Sequence, residues 1–483
     1  MTGDKLREYP FFVGGEWRRN PDPTEIRSPF DGTPAGLVHR AGEKDLEDAV
    51  ACAVASFEKT RRLSTARRSA ILTSIADQIE EQASSLARIL VLEGGKTQPF
   101  AQAEVRRAVL TLRTSAEEAR RIGGEVIDLD WTEDAEGRIG ISRRFPLGPV
   151  LAITPFNFPL NLACHKVGPA LAAGNPVILK PASATPLSAL FLAQMAEASG
   201  VPEGALSVVP CSATLAERLV EDPRIAVLSF TGSAEVGWRL KAMAGRKKVT
   251  LELGGNAAVV LHNDCPDLAY ATSRIVTGGF ANAGQVCISV QRVLIHADIY
   301  DRALDQILEK TAALRTGDPD RPDTDVGPLI SDAAALRAEE LVREAVREGA
   351  ELLCGGERSG RFIMPAVITG TAPGMRIEDE EAFAPLITVN PYTDFDEALS
   401  RAFTSEYGLQ LGVFTNDLDR IMSAYEEATV GCVVINDIPT FRVDHMPYGG
   451  VKGSGTGREG PRSAIREMTG ERLLIINRGG GQR

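Results

Sequence analysis

The thiol of Cys287, in the stretch GQVCIS, is one of seven in a chain of 483 residues. A thiolate is a strong nucleophile, but an unperturbed thiol, with a pKa of about 8.5, is only a few per cent ionised at neutral pH. Nothing charged stands beside Cys287 to change that. Gly284, just before it, lets backbone and ligand approach closely. The competing reading is a small buried hydrophobe, which suits Cys52, Cys164, Cys211 and Cys432 in their apolar surroundings. Glu252, in VTLELGGNAAVV, interrupts an apolar run directly before two glycines. A carboxylate there is costly unless paired or left partly protonated, and a raised pKa is the condition of a general base near neutrality. A salt-bridged or solvent-facing strand end is equally open. Asn157, in TPFNFPLN, follows a strand end in a turn set by two prolines. Its amide can donate to a developing oxyanion, or simply serve the turn. Lys180 closes the strand of ILKPAS, at the carboxyl end where open α/β sheets bind ligands. SFTGSAEVG runs from strand through Gly232 and Ser233 into a helix, whose free N–H groups suit a phosphate. No GxGxxG is present, so the usual dinucleotide fingerprint is missing.

The elements that must hold these groups follow from hydrophobic pattern. After Gly42 the N-terminal third has apolar residues at three- and four-residue spacing, in AVACAVASFEKT and ILTSIADQIEEQASSLARILVLEGG, and Gly94-Gly95 is a helix stop. From Gly148 short Val-, Ile- and Leu-rich runs appear at 149–154, 176–180, 205–210 and 225–230, with helices expected at 160–173, 186–199 and 212–221. This alternation indicates a buried parallel sheet in an α/β unit. A second series holds runs at 257–261, 293–296, 386–390, 411–415 and 431–436, and LGG at 253–255 separates the two. The segment 125–145 alternates like a hairpin and 471–477 is a lone late strand; both pair either with another subunit or as edge strands of their own chain.

A formal net charge of −12, with 24% charged and 43% hydrophobic residues, describes a globular chain and disfavours non-specific binding to nucleic acid or anionic membrane. No run approaches a spanning helix, and the N-terminal MTGDKLREYPFFVGGEW has no signal-peptide core. Scattered cysteines and five dispersed histidines, with no CxxC, predict free thiols in a reducing cytoplasm and no metal.

Taken together, PFNFP, GNPVILKPAS, FTGS, LELGG, GQVC, EEAFAPL and PYGGVKGSGTGRE resemble the aldehyde dehydrogenase superfamily in content and order, along essentially the whole chain. The Glu252-to-Cys287 interval of 35 is of the family's kind. The resemblance implies two parallel-sheet α/β domains and a small β arm: a dinucleotide-binding domain at 1–124 and 146–253, a catalytic domain at 254–436, and an oligomerisation arm with C-terminal segment at 125–145 and 437–483. It selects pairing of the arm with another subunit, in a homodimer or homotetramer. It implies Cys287 as nucleophile, Glu252 as general base, and Asn157 with the Cys287 N–H as oxyanion donors. It implies NAD or NADP held by Ile153, Thr154, Pro155, Phe156, Lys180, Ser183, Phe230, Gly232, Ser233, Val236, Leu253, Glu381 and Phe383, with a positively charged nicotinamide helping to activate the thiol.

Three departures carry weight. Ser183 stands where many NAD-specific members have Glu; without that repulsion of a 2′-phosphate, NADP is expected to be accepted. Ala384 replaces a frequent Gly with little consequence. Glu252 is present where CoA-acylating relatives often lack a base, which favours release of a free acid. The wording QVCISVQR looks closest to the lactaldehyde and non-phosphorylating glyceraldehyde-3-phosphate dehydrogenase branch, and suggests a small hydroxyaldehyde or anionic semialdehyde as substrate. Arg442 and His445, in NDIPTFRVDHMPYGG, are substrate candidates; Arg442 either pairs with a carboxylate or phosphate or is a surface residue at the mouth. Arg107, with Arg106, is placed near the entrance, and Arg292 is structural. A succinate-semialdehyde-type enzyme is the main rival, followed by a CoA-acylating enzyme and a non-catalytic binding protein on the same fold.

Overall fold

The computed structural model describes residues 6–478; the outermost parts of the expected terminal segments, 1–5 and 479–483, lie outside the described residues. The Val-, Ile- and Leu-rich runs form strands, and their two series build two sheets. The first has the spatial order Gly455–Thr456, Lys248–Glu252, Val227–Thr231, Val150–Ile153, Val177–Lys180, Leu206–Val208, Phe11–Val13, Glu16–Arg18. Its five central strands are parallel. Strands Val150–Ile153, Val177–Lys180 and Leu206–Val208 are buried throughout, because helices cover both faces; hence the continuous rather than alternating apolar pattern. The chain enters at Val150–Ile153, adds two strands on one side, then returns to place Val227–Thr231 on the other. The direction of winding therefore reverses between these two neighbours, and their carboxyl ends diverge into a crevice.

The helical N-terminal third packs on this sheet as Glu43–Thr60, Thr65–Glu81, Ala83–Gly94 and Gln98–Glu118. The single long helix expected from ILTSIADQIEEQASSLARILVLEGG is broken at Gln82, whose φ of −103° and ψ of 18° leave the helical region. The stop falls where the glycines place it: Gly95 caps the helix with φ 64°, and a Cβ there would also lie 2.8 Å from Pro328.

The second sheet has the order Glu351–Cys354, Ala366–Thr369, Leu386–Tyr392, Val290–His296, Ala257–Leu261, Gln410–Phe414, Cys432–Ile435. All its pairs are parallel except the edge pair of Glu351–Cys354 with Ala366–Thr369. That pair is absent from the expected series, since its runs are only four residues each and sit among loops.

A third sheet joins the two remaining segments. The hairpin of Val126–Asp128 and Arg138–Pro146 forms, and Thr469–Asn477 pairs antiparallel with Arg138–Pro146 of its own chain along nine residues. Arg144 holds this register by donating to Thr469 Oγ1 and to the carbonyls of Arg466 and Thr469. The sheet is detached from the other two and is not an edge of either. Between them, the chain from 437 to 460 threads back: Val451–Lys452 pairs with Tyr407–Gly408, and Gly455–Thr456 pairs with Leu251 and Glu252.

Candidate active site

The carboxyl ends of Val150–Ile153, Val177–Lys180, Val227–Thr231 and Lys248–Glu252 meet the loop before Val290–His296 and the returning 437–460 segment. They enclose a cleft of about 960 Å³. All three expected catalytic residues line it, as do all the expected cofactor residues together with Arg107 and Arg442. His445 does not. Asp444 is drawn inward by its bonds to Arg107 and His165, and the next residue faces solvent. Arg106 is also exposed and outside the cleft.

Cys287 follows a strained turn. Helix Leu268–Phe280 ends, and Asn282, Ala283 and Gly284 then take φ of 50°, 54° and 69°. Two of these are non-glycine residues in the left-handed region, a cost that persists only where surroundings enforce it. A Cβ on Gly284 would fall 2.0 Å from the Ala384 carbonyl, and one on Gly255 would fall 2.2 Å from the Cys287 carbonyl. The second glycine after Glu252 thus lets the nucleophile's backbone pass. Among the described residues the Cys287 N–H has no acceptor. Asn157 reaches the same loop, its Nδ2 donating to the Gln285 carbonyl at 2.9 Å; its second N–H has no acceptor among the described residues. The Asn157 loop is held from below: buried Lys96 donates to the Asn157 carbonyl at 2.6 Å and pairs with Glu104. Glu104 in turn accepts the N–H groups of Leu160 and Asn161, in the first turn of helix Pro159–Ala173. Burial raises the Cys287 thiol to about 11, against the opposing pull of Tyr448 and Arg442.

Glu252 is 3% exposed, and neither carboxylate oxygen has a partner. Burial, and then the charge of Glu459, raise its pKa well above the ordinary value, while Arg442, Lys166 and Arg458 pull the other way. A Cβ on Gly449 would lie 2.9 Å from Glu252 Oε1, so a glycine beside the carboxylate keeps its approach open. Glu459 is the opposite case. Burial acts against its charge, but Lys166 (2.9 Å), His165 and Arg442 hold it down at about 2. The environment therefore pushes the two buried carboxylates apart, Glu252 upward and Glu459 downward, and Glu459 is the fixed anion of the pair. The sequence reading missed Glu459, Lys166, His165, Asp444, Lys96, Glu104 and Tyr448. Lys96 and Glu104 are eight residues apart, but Lys166 and Glu459 are separated by 293 positions, His165 and Asp444 by 279, and Cys287 and Tyr448 by 161.

The cofactor side has donors and acceptors waiting. Thr154 Oγ1 is buried without a partner. Ser233, the N-cap of helix Ala234–Met243, makes no side-chain bond, so the first-turn N–H groups stay open. Lys180 is 9% exposed, and its Nζ has no hydrogen-bond partner among the described residues. A Cβ on Gly232 would strike the Phe230 ring at 2.6 Å. Glu381 accepts from the Gly255 N–H at 2.9 Å and is raised by burial to about 7. Phe383, φ 50°, meets Phe156 edge-on. A lysine, a helix N-terminus and a carboxylate lining one cleft are the kinds of group that suit the riboses and pyrophosphate of a dinucleotide.

On the substrate side, Arg107 forks onto Asp444 through Nε (3.0 Å) and Nη2 (2.8 Å), leaving Nη1. Arg442 is no surface residue: its side chain is 7% exposed, its guanidinium lies 3.6 Å over the Tyr448 ring, and it reaches Glu459 at 3.3 Å. Its Nε is buried without an acceptor. Arg292 is structural, donating to the carbonyls of Asn256, Arg401 and Ala402.

A thiol, a buried carboxylate and an amide thus line one cleft, together with residues that suit a dinucleotide. The family comparison agrees: residues 17–473 match the model of the aldehyde dehydrogenase family, and the chain belongs to that family. It is 43% identical over 474 residues to a 3-sulfolactaldehyde dehydrogenase of Priestia aryabhattai, covering 98% of this chain and 99% of that one. It superposes with TM-score 0.97 and 39% identity on aldehyde dehydrogenase 21 of Physcomitrella patens, solved with the reaction product succinate, covering 99% and 100% of the two chains. It superposes with TM-score 0.91 and 35% identity on a glyceraldehyde-3-phosphate dehydrogenase of Methanocaldococcus jannaschii, solved with NADP, covering 95% and 100%.

Proposed function

We propose that this enzyme oxidises a small polar aldehyde, a hydroxyaldehyde or an anionic semialdehyde, to the carboxylic acid with NAD or NADP, through a thiohemiacetal and then a thioester on Cys287. The observation that carries the reading is the convergence of Cys287, Asn157 and Glu252 on one cleft. Cys287 as thiolate adds to the carbonyl carbon. The oxygen that takes the electron pair is met by the spare Asn157 N–H and the Cys287 N–H. NAD or NADP, when bound, supplies a two-electron hydride acceptor. Loss of hydride leaves the thioester, and Glu252 as carboxylate takes a proton from water as its oxygen attacks that carbonyl. The acid departs and Cys287 is regenerated. Free acid rather than acyl-CoA is the product because the base is present. Lys180, Ser183 and the start of helix Ala234–Met243 bind the nucleotide, and the neutral Ser183 admits a 2′-phosphate.

The cations Arg107 and Arg442, each with an unused N–H, support an anionic group on the substrate. The names of the three relatives carry a sulfonate, a carboxylate and a phosphate respectively. Succinate semialdehyde is the second reading, favoured by the succinate complex. The proposal also makes the protein a cytoplasmic homo-oligomer assembled through its arm; the seven free thiols are at home in a reducing compartment.

A panel of lactaldehyde, 3-sulfolactaldehyde, glyceraldehyde 3-phosphate, succinate semialdehyde and propanal, each with NAD and NADP, tests this. An anionic aldehyde should exceed propanal by about tenfold or more in kcat/KM, the effect of one charge-assisted contact. Arg107→Leu should remove most of that margin. Equal rates with propanal would refute the anion, and an NAD preference beyond about a hundredfold, or about 2.7 kcal/mol, would refute the role given to Ser183.

A further inference from the structure

The cleft contains one hydroxyl in contact with the reacting sulfur. Tyr448 Oη lies 2.8 Å from Cys287 Sγ, within hydrogen-bond distance. The residue is 3% exposed, and its ring packs in an apolar cluster with Val286, Ile288 and Leu409, on either side of the nucleophile. Its backbone is fixed in both directions, the Tyr448 N–H donating to the Glu459 carbonyl at 3.1 Å and the Glu459 N–H donating back at 2.7 Å. Arg442 lies 3.6 Å over the ring face. The sulfur is the only hydrogen-bond partner of this hydroxyl among the described residues. A buried phenol normally finds a partner, and here that partner is the nucleophile.

We propose that Tyr448 is a catalytic residue, a neutral hydrogen-bond donor to the Cys287 thiolate that both favours the ionised sulfur and fixes its direction of attack. The proposal rests on Cys287 being the nucleophile. Tyr448 keeps its proton throughout. A guanidinium over the ring draws electron density from the phenol and strengthens the O–H as a donor. The charged and titratable groups facing this pair are few. Arg442 favours the thiolate; Glu252, at the end of Lys248–Glu252, and Glu381, in the loop before strand Leu386–Tyr392, oppose it. Glu459 and Lys166 lie behind Glu252 as a neutralised pair. With two carboxylates working against ionisation and Arg442 on the other side, a donor at hydrogen-bond distance is the remaining direct support for S⁻ within the chain. Once carbon is bound, the sulfur becomes a thioether-like, weak acceptor, so the contact favours the state before addition and the state after acid release.

Tyr448→Phe tests the proposal. Alkylation of Cys287 by iodoacetamide, followed across pH by mass spectrometry of its peptide in the full-length enzyme without substrate, reads the thiol directly. The variant should raise the apparent thiol pKa by about one unit and slow alkylation near pH 7 about tenfold, as loss of one charge-assisted bond implies. The acid limb of kcat/KM should move upward with it. Incorporating a fluorotyrosine at 448, a stronger donor of nearly the same shape, should move the thiol pKa downward, and decides the matter if the Phe variant does not fold. An unchanged pKa, or a fall in the Phe variant, means that the thiol S–H donates to the phenol instead, and overturns the proposal. Retained aldehyde oxidation in Cys287→Ala would overturn it differently, by removing the nucleophile itself.

Discussion

Glu252 shows how one residue's environment sets its role. The same side chain at a strand end in water would be a spectator anion. Here it is buried without hydrogen bonds, next to a second carboxylate that is already ionised, and its pKa moves well above the ordinary 4.5. In the proposed deacylation the active form is the carboxylate, so a raised pKa moves the appearance of that form to higher pH. The rate of acyl release should therefore climb with pH well beyond the usual carboxylate range and level off once Glu252 is ionised. Glu252→Gln should abolish that climb. Stopped-flow measurement should still show a first-turnover burst of reduced cofactor, while steady-state turnover falls by about 10²–10⁴, the usual contribution of a general base. Loss of the burst to the same degree would mean that Glu252 acts on the thiol before hydride transfer and not only afterwards.

At the scale of elements, Asn157, the proposed oxyanion donor, is positioned by a buried ion pair. Lys96 and Glu104, on either side of the start of helix Gln98–Glu118, are fully buried. Lys96 holds the Asn157 carbonyl, and Glu104 caps helix Pro159–Ala173 through two N–H groups. Removing one partner strands the other charge in the interior. Lys96→Met should destabilise the protein by about 3–5 kcal/mol, measured by urea unfolding, and should lower kcat by loosening Asn157. Adding Glu104→Gln should recover part of the stability; strict additivity of the two losses would refute the coupling. These elements also mark what was legible beforehand. The strands carrying Lys180, Phe230 and Glu252 were readable, because buried parallel strands impose continuous apolar runs, and the helix stop at Gly95 was readable because its backbone requires glycine. The break at Gln82 was not, since the apolar period continues through it. For Arg442 the sequence left open an anionic partner or a surface place at the mouth; what buries it is a ring and a carboxylate, Tyr448 and Glu459, that chain folding brings to it. Tyr448 stood within a motif that carried the family resemblance, and only the folded distance to Sγ gives its hydroxyl a role.

The whole molecule leaves one surface unexplained by its own chain. In the arm, the register sets Val126, Ile141 and Leu474 side by side, and next to them Ile139 with Ile476, on one face of a three-stranded sheet. Val126 is 73% exposed, and Leu473 to Ile476 are each about half exposed, far from either core. Residues directly opposite one another on adjacent strands share a face, so this is a contiguous apolar row rather than scattered side chains, and such rows mark contact surfaces. The outer edge of Thr469–Asn477 has no neighbouring strand among the described residues. A nine-residue edge ending in LLIIN would invite indiscriminate pairing if left uncovered. Coverage by a second copy of the chain answers both problems at once, and it needs no exchange of the pairing with Arg138–Pro146. Sedimentation velocity at micromolar concentration should find an oligomer for the wild type. Leu474→Lys combined with Ile476→Glu, two changes on the same face that leave every backbone hydrogen bond of the arm in place, should shift it to monomer. A wild-type monomer, or a double variant that sediments as the wild type does, would show that this face does not hold the subunits together.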